Sequence, residues 1–200
     1  MGVLNITPDS FSDGGLFLDS MSAVTKAQLM VEEGAGIIDI GGESTRPGAP
    51  EVSSDDELKR VIPVIEALNG NIDVPISIDT SKPIVMKEAF VAGASIINDV
   101  NALRANGALE MAAELGADVC LMHMQGNPRT MQNKPTYDNV VDDVKEFFHE
   151  RIAACKSVGI PLSSITIDPG FGFGKNLGHN IALLKNLSEF HDFGVSILAG

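Results

Sequence analysis

Residues 32–42 read EEGAGIIDIGG, from Glu32 through Gly34 and the apolar run Ile37-Ile38 to Gly41-Gly42. Helical periodicity stops at a glycine, and a short β-branched run follows that ends in polar or glycine positions. The same order returns as VAGASIINDVN at 91–101 and ELGADVCLMHM at 114–124. Gly34, Gly93 and Gly116 each suit the left-handed position that closes a helix. The Ile/Val runs behind them suit strands buried on both faces. GVLN, VPISIDTS, SITIDPG and VSILAG add four more runs of this kind. Seven strands are thus expected near 3–5, 37–41, 75–79, 95–99, 118–122, 164–168 and 195–199.

Helical patterns fill the gaps, near 20–34, 55–69, 83–92, 107–116, 138–158 and 179–190. Ser54-Asp55-Asp56-Glu57 and Ser81-Lys82-Pro83 place caps, acids and an early proline where a first turn needs them. Strict strand–helix alternation implies a parallel sheet with right-handed crossovers. Two architectures satisfy that, a doubly wound open sheet and a (β/α)8 TIM barrel. No G-x-G-x-x-G follows the first strand, as a Rossmann sheet would want. Polar side chains instead close nearly every strand, which is how a barrel builds its site. The barrel is the better reading. Barrels typically run to about 250 residues, so a single, partial domain over residues 1–200 is expected, with strands one to seven present and the eighth strand and its helix missing.

Composition narrows the partners. A net charge of −13 argues against nucleic acid and anionic membrane surfaces. No apolar run approaches the roughly 18 residues of a spanning helix, and no signal peptide precedes the first strand, so a cytoplasmic protein is expected. Cys120 and Cys155 form neither a metal nor a disulfide pattern, and Cys120 reads as a small buried hydrophobe.

The strand ends carry Asn5, Asp79, Asn98 with Asp99, and Asp168. A carboxylate among Ile and Val positions is costly to bury unless partnered. For any one of these, capping the next helix is as good an explanation as binding. Across several strands the balance shifts, because a barrel turns its strand ends toward one centre. Lys and Arg fall mostly in helices and loops, so no matching cations are expected there. The acceptors await a donor-rich ligand. A flat heterocycle with adjacent ring N–H and amino donors and a carbonyl fits two Asp and an Asn, the Asn reading the carbonyl side. Guanine and pterin rings share that face.

Two loops add to the inventory. NITPDSFSDGG after the first strand holds Phe11 and Asp13, with Gly14 and Gly15 where a lid would hinge. GGESTRPGAPEVSSDDE after the second offers Thr45, Arg46 and Pro47, and Arg46 serves either an anion or a surface pair with Glu43 or Glu51. GFGFGK, Gly170 to Lys175, invites a phosphate-loop reading, but the spacing is wrong and Asn176 stands where Ser or Thr would hold magnesium. His123, His149, His179 and His191 lack zinc spacing. Asp138, Asp142, Asp143 and Glu146 read as a solvated helix face. Met124 reads as core filler, while Met122 suits core filling and packing against a flat ligand equally well.

NITPDSFSDGG, IIDIGGESTRPGA, ISIDTSKP, IINDV, LMHMQGNPRTMQ and IDPGFGFGKN together resemble the dihydropteroate synthase family in its bacterial form, over the whole chain. The resemblance implies condensation of 6-hydroxymethyl-7,8-dihydropterin diphosphate with 4-aminobenzoate, giving 7,8-dihydropteroate and pyrophosphate in folate biosynthesis. It implies inhibition by sulfonamides, which compete with aminobenzoate. By the same resemblance Asp79, Asn98 and Asp168 hold the pterin, Met122 and Phe173 pack beside the two substrates, and Gly200 lies at the pterin rim. Asn5 matches the family's magnesium and diphosphate position. Thr45 and Arg46 contact substrate or order the second loop, and Phe11 and Pro47 wall the aminobenzoate pocket. The implied mechanism is dissociative, diphosphate leaving before the arylamine attacks, with Asp13 stabilising the pterin cation.

The family's later serine, arginine and lysine loop, and its strand-eight arginine and histidine, are not in these 200 residues. Weak stability and inactivity are therefore expected of this stretch alone, and a homodimer is expected of the parent. The uninterrupted STRPG implies a sulfonamide-susceptible parent. Two rivals remain: the pterin-binding domain of a corrinoid methyltransferase acting on methyltetrahydrofolate, and a non-catalytic pterin-binding module.

Overall fold

The computed structural model of the chain describes residues 1–6, 15–44, 49–127 and 130–200, with residues 15–20 in backbone alone. Two compact units are distinguished, residues 1–44 with 50–98, and residues 99–200.

The first unit runs β1 (Gly2–Asn5), α1 (Gly15–Glu32), β2 (Ile38–Gly41), α2 (Ser54–Leu68), β3 (Ile76–Asp79), α3 (Pro83–Ala92) and β4 (Ile96–Asp99). Its strands pair in that order, all parallel. Leu4, Ile38, Ile40, Ile78 and Ile97 are fully buried, as are Val61, Val64, Ile65 and Leu68 of α2 and Val85, Met86 and Ala89 of α3. Burying each large aliphatic side chain contributes roughly 1.5–3 kcal/mol. That is the force behind the Ile/Val runs read in the sequence.

The second unit carries α4 (Ala108–Leu115), β5 (Asp118–Met122), α5 (Val140–Ser157), β6 (Ile165–Asp168), α6 (Leu177–Lys185) and β7 (Ser196–Ile197), with 3-10 turns at Leu162–Ser164 and Leu187–Phe193. β5 pairs with β6 and β6 with β7, again parallel. Phe148 and Phe190 are fully buried and meet edge-on, 6.0 Å between ring centres.

The repeated glycine is a repeated helix stop. Gly34 N–H donates to Val31 O while Ala35 N–H donates to Met30 O; Gly93 and Ala94 repeat this on Phe90 and Ala89, and Gly116 and Ala117 on Ala113 and Ala112. This paired bond is the Schellman motif, and it needs a positive φ at the glycine. At Gly93 φ is 127°, and an added Cβ would also lie 2.4 Å from Asn69 Cγ.

Several boundaries differ from the sequence expectation. α1 begins at Gly15, so Gly15 opens a helix rather than hinging a loop; Gly14 lies outside the described residues. α2 is capped by Ser53, whose Oγ accepts the Asp56 N–H at 3.1 Å, one residue before the expected cap. The final helical pattern splits into α6 and a 3-10 turn, because the Asn186 and Leu187 region tightens after Lys185. Asn176 is the N-cap of α6, its Oδ1 accepting His179 N–H at 2.9 Å. The departure from a phosphate loop at that position is thus a capping signal.

Candidate functional site

In the first unit the strand register lines up the expected residues. Asn5 pairs with Gly41, Gly41 with Asp79, and Asp79 with Asn98, so three predicted site residues share one tier at the C-terminal strand ends. Gly41 keeps that tier open. A Cβ there would stand 3.3 Å from Asp79 Oδ2 and 3.5 Å from Asn5 Oδ1. Asn5 is exposed, and Asp79 and Asn98 are half-buried.

One tier below lies Asp39, in register with Ser77 and only 2% exposed. Its Oδ2 accepts from Asn98 Nδ2 at 3.0 Å, while Oδ1 has no hydrogen-bond partner. Burial pushes this carboxyl above the ordinary range, against the opposing effect of the Ser77 hydroxyl and the Asn98 amide. Sequence reasoning did not single it out.

Beside the second loop, Lys82 bridges Glu43 and the fully buried Glu57. Burial works against its charge, but the two carboxylates outweigh burial and hold the ammonium above its usual pKa. Glu43 also accepts Val52 N–H at 3.3 Å. Phe11, Asp13, Thr45, Arg46 and Pro47 lie outside the described residues.

In the second unit Asp168 closes β6 in register with Met122 on β5. Its Oδ1 accepts Gly170 N–H at 2.7 Å, and its backbone carbonyl accepts His123 N–H at 2.9 Å. Burial raises the carboxyl to about 6, opposed by the Gly170 N–H and the Lys175 charge. It is therefore an ionised acceptor at neutral pH. Gly200 approaches the other oxygen: a Cβ on it would lie 3.9 Å from Asp168 Oδ2. Met122 joins Met124 and Met131 in a buried cluster, with Phe173 packed against it. The structure thus brings Met122, Asp168, Phe173 and Gly200 into one unit's strand-end region.

The expectation of no cation near the strand ends is corrected here. Lys175 is 3% exposed and donates to His123 O at 3.1 Å, Gly170 O at 2.9 Å and Phe173 O at 3.0 Å. Burial lowers its pKa to about 7, against the pull of Asp168. It staples the loop after β5 to the loop after β6 and seats Phe173. His123 is held neutral by burial, its pKa lowered to about 3, and meets Phe147 edge-on at 4.9 Å.

Asp99 answers to the structural reading. It is fully buried and accepts the N–H groups of Asn101 and Leu103, both at 2.8 Å. Those bonds hold Ala102 and Leu103 at positive φ, with Arg151 donating to both of their carbonyls. A hollow of about 330 Å3 lined by Phe171, Asn180, Ile181, Leu184, Ala199 and Gly200 shares only Gly200 with the expected site, and its walls are mainly apolar.

The sequence profile of the family described as "Pterin binding enzyme" matches residues 1–200. Dihydropteroate synthase of Escherichia coli K12 is 58% identical over 200 residues, which cover all of this chain and 71% of that protein. The chain belongs to the dihydropteroate synthase family. The Yersinia pestis dihydropteroate synthase, solved as a sulfonamide drug complex, superposes with a TM-score of 0.94 at 54% identity, covering all of this chain and 73% of that one. The Xanthomonas albilineans dihydropteroate synthase with 4-aminobenzoic acid gives 0.93 at 50% identity, covering all of this chain and 71% of that one. The fold class is accordingly the pterin-binding (β/α)8 barrel expected from the strand–helix alternation, with seven of its strands among the described residues. Among those residues no helix is long and apolar enough to cross a membrane.

Proposed function

We infer that this protein is a transferase joining 6-hydroxymethyl-7,8-dihydropterin diphosphate to 4-aminobenzoate, with 7,8-dihydropteroate and pyrophosphate as products. The carrying observation is 58% identity, unbroken over 200 residues, to a dihydropteroate synthase. The synthase names among the relatives favour this reading over a corrinoid methyltransferase domain.

The chemistry of the described residues agrees. Asp79, Asn98 and Asp168 are strand-end acceptors for the donors of a pterin ring, and Asp168 keeps its charge at neutral pH because its pKa lies at about 6. Charge-assisted bonds to such acids are about twice as strong as neutral ones. Met122 and Phe173 supply adaptable apolar contact beside the ring. Asn5 is the residue that would hold magnesium: its amide Oδ1 is a hard oxygen donor at the C-terminal end of β1. Magnesium binds through one or two protein oxygens together with substrate phosphates, and when bound it neutralises charge on the departing diphosphate.

Breaking the carbon–oxygen bond to diphosphate leaves a pterin cation, which the aminobenzoate nitrogen then attacks, losing its proton. No covalent nucleophile is needed. Asp13 stabilises that cation in this reading. Phe11 and Pro47 wall the aminobenzoate pocket in this reading, Thr45 and Arg46 contact substrate or order the second loop, and exclusion of water protects the short-lived cation. Residues 1–200 are part of a single pterin-binding barrel domain, the parent protein is a cytoplasmic homodimer, and sulfonamides occupy the aminobenzoate position.

The test is product formation by the full chain from pterin diphosphate, magnesium and labelled aminobenzoate, followed by chromatography. Dihydropteroate forms only with all three present. Asp79→Ala and Asp168→Ala abolish turnover and weaken pterin binding at least tenfold by calorimetry; a dissociation constant within about threefold of wild type removes these residues from the site. Asp13→Ala lowers kcat and leaves pterin affinity nearly unchanged.

A further inference from the structure

Asp39 stands in the middle of β2, in register with Ser77 on β3 and Val3 on β1. It is 2% exposed, and no ion pair to it occurs among the described residues. A buried carboxylate without a cation is a costly residue for a strand interior. Its Oδ1 has no hydrogen-bond partner, and Ser77 is the polar side chain in register with it. Packing alone does not account for it. The bond across to β4 does: Asn98 Nδ2 donates to Oδ2 at 3.0 Å.

An asparagine amide is two-sided, one end a double donor and the other an acceptor, and nothing in its shape says which way it faces. A carboxylate oxygen only accepts, so it admits only the nitrogen. We propose that Asp39 is a positioning residue that fixes the orientation of the Asn98 amide, and so sets the order of donor and acceptor that β4 offers to a ligand ring. Asn98 is left with Oδ1 and the second N–H, in a fixed order, on a residue in register with Asp79. With Oδ2 held by the Asn98 amide, Asp39 keeps an acceptor turned toward β4.

The consequence is selection among rings of equal shape. A pterin has two edges where donor and acceptor stand side by side, one at the exocyclic amino group and one at the carbonyl. An amide of fixed orientation complements one order and opposes the reverse, whereas a free amide turns to suit either. The inference rests on the pterin reading above and adds what enforces specificity at that site.

The experiment measures binding of three diphosphate-free pteridines to the full chain by calorimetry. The 2-amino-4-oxo ring is the reference. The 2,4-dioxo ring reverses the amino edge, and the 2,4-diamino ring reverses the carbonyl edge. Wild type prefers the reference over both. Asp39→Asn keeps the volume and still bonds Asn98, but an amide satisfies Asn98 either way round. Preference over one of the two reversed rings therefore falls about tenfold, while reference affinity changes by no more than about twofold. In an Asn98→Ala background Asp39→Asn has no further effect on that ratio. Asp39→Leu gives the same collapse of preference, and if it does not fold, Asp39→Asn decides alone. Unchanged ratios, or equal weakening of all three rings, make Asp39 a packing residue and overturn the proposal. Wild type that binds none of the rings overturns the pterin reading itself, a result distinct from unchanged ratios.

Discussion

At the scale of single residues, Asp168 and Lys175 show how burial sets usable chemistry. Both are nearly inaccessible, and burial moves each toward its neutral form, the acid up to about 6 and the amine down to about 7. Between those values both are charged. Asp168 is then a full acceptor in a low-dielectric site, where a hydrogen bond to an anion is strongest. The sign of the resulting pH dependence follows. Above pH 6 Asp168 is ionised and ligand affinity is level; below it the carboxyl takes a proton, and affinity falls by up to about tenfold per pH unit. Calorimetry of pterin binding from pH 5 to 8 reads this directly. In Asp168→Asn the profile is flat and weak throughout, and a wild-type profile equally flat through pH 6 removes Asp168 from the contact.

At the scale of elements, the loop from β6 to α6 is the most constrained piece of the second unit. Gly170 sits at φ +67°, and a Cβ there would lie 2.2 Å from His123 O. Gly174 faces Gln125 O at 2.7 Å by the same measure. The backbones of two loops meet at these glycines, and Lys175 fills the space between them with three N–H bonds to carbonyls. Gly170→Ala adds both strain and overlap with backbone, so a loss of roughly 2–4 kcal/mol is expected by denaturant unfolding. Ser53→Ala removes only an exposed cap and costs about 1 kcal/mol. A smaller effect for Gly170→Ala than for Ser53→Ala contradicts this ranking. The strands and helix stops were legible because they are local: β-branched runs and Schellman glycines leave their mark within a few residues. The strand-end positions of Asn5, Asp79, Asn98, Met122 and Asp168 were legible because the Ile/Val runs before them mark the strands. Lys175 was not, since a lysine feeding three loop carbonyls depends on how a glycine-rich segment folds back. Asp39 and Asp99 looked alike as acids in Ile-rich strands, yet one orients Asn98 and the other ties down its own loop. Only the tertiary partner separates them.

At the scale of the whole molecule, folding and function pull on the same buried groups in opposite directions. A carboxyl whose folded pKa is raised from 3.8 to about 6 adds stability below pH 3.8 and loses it as pH rises through 6. At pH 7 the ionised Asp168 therefore costs up to roughly 3 kcal/mol. Lys175 has the mirror dependence: lowered from 10.5 to about 7, it adds stability above 10.5 and loses it as pH falls through 7. Between pH 6 and 7 both losses are present, in the range where Asp168 is charged for binding. Asp168→Asn keeps an acceptor for Gly170 N–H but removes the buried charge, so it raises Tm at pH 7 while destroying ligand affinity, the exchange expected where a site stores destabilisation. The gain falls short of the full 3 kcal/mol, because Lys175 loses the acid that supports its own charge, and Lys175→Met in the same background recovers part of the difference. As pH is lowered from 7 to 4, wild-type Asp168 becomes neutral and the Tm gap between the two proteins closes. A gap that stays constant across that range assigns the stabilisation to packing and not to charge.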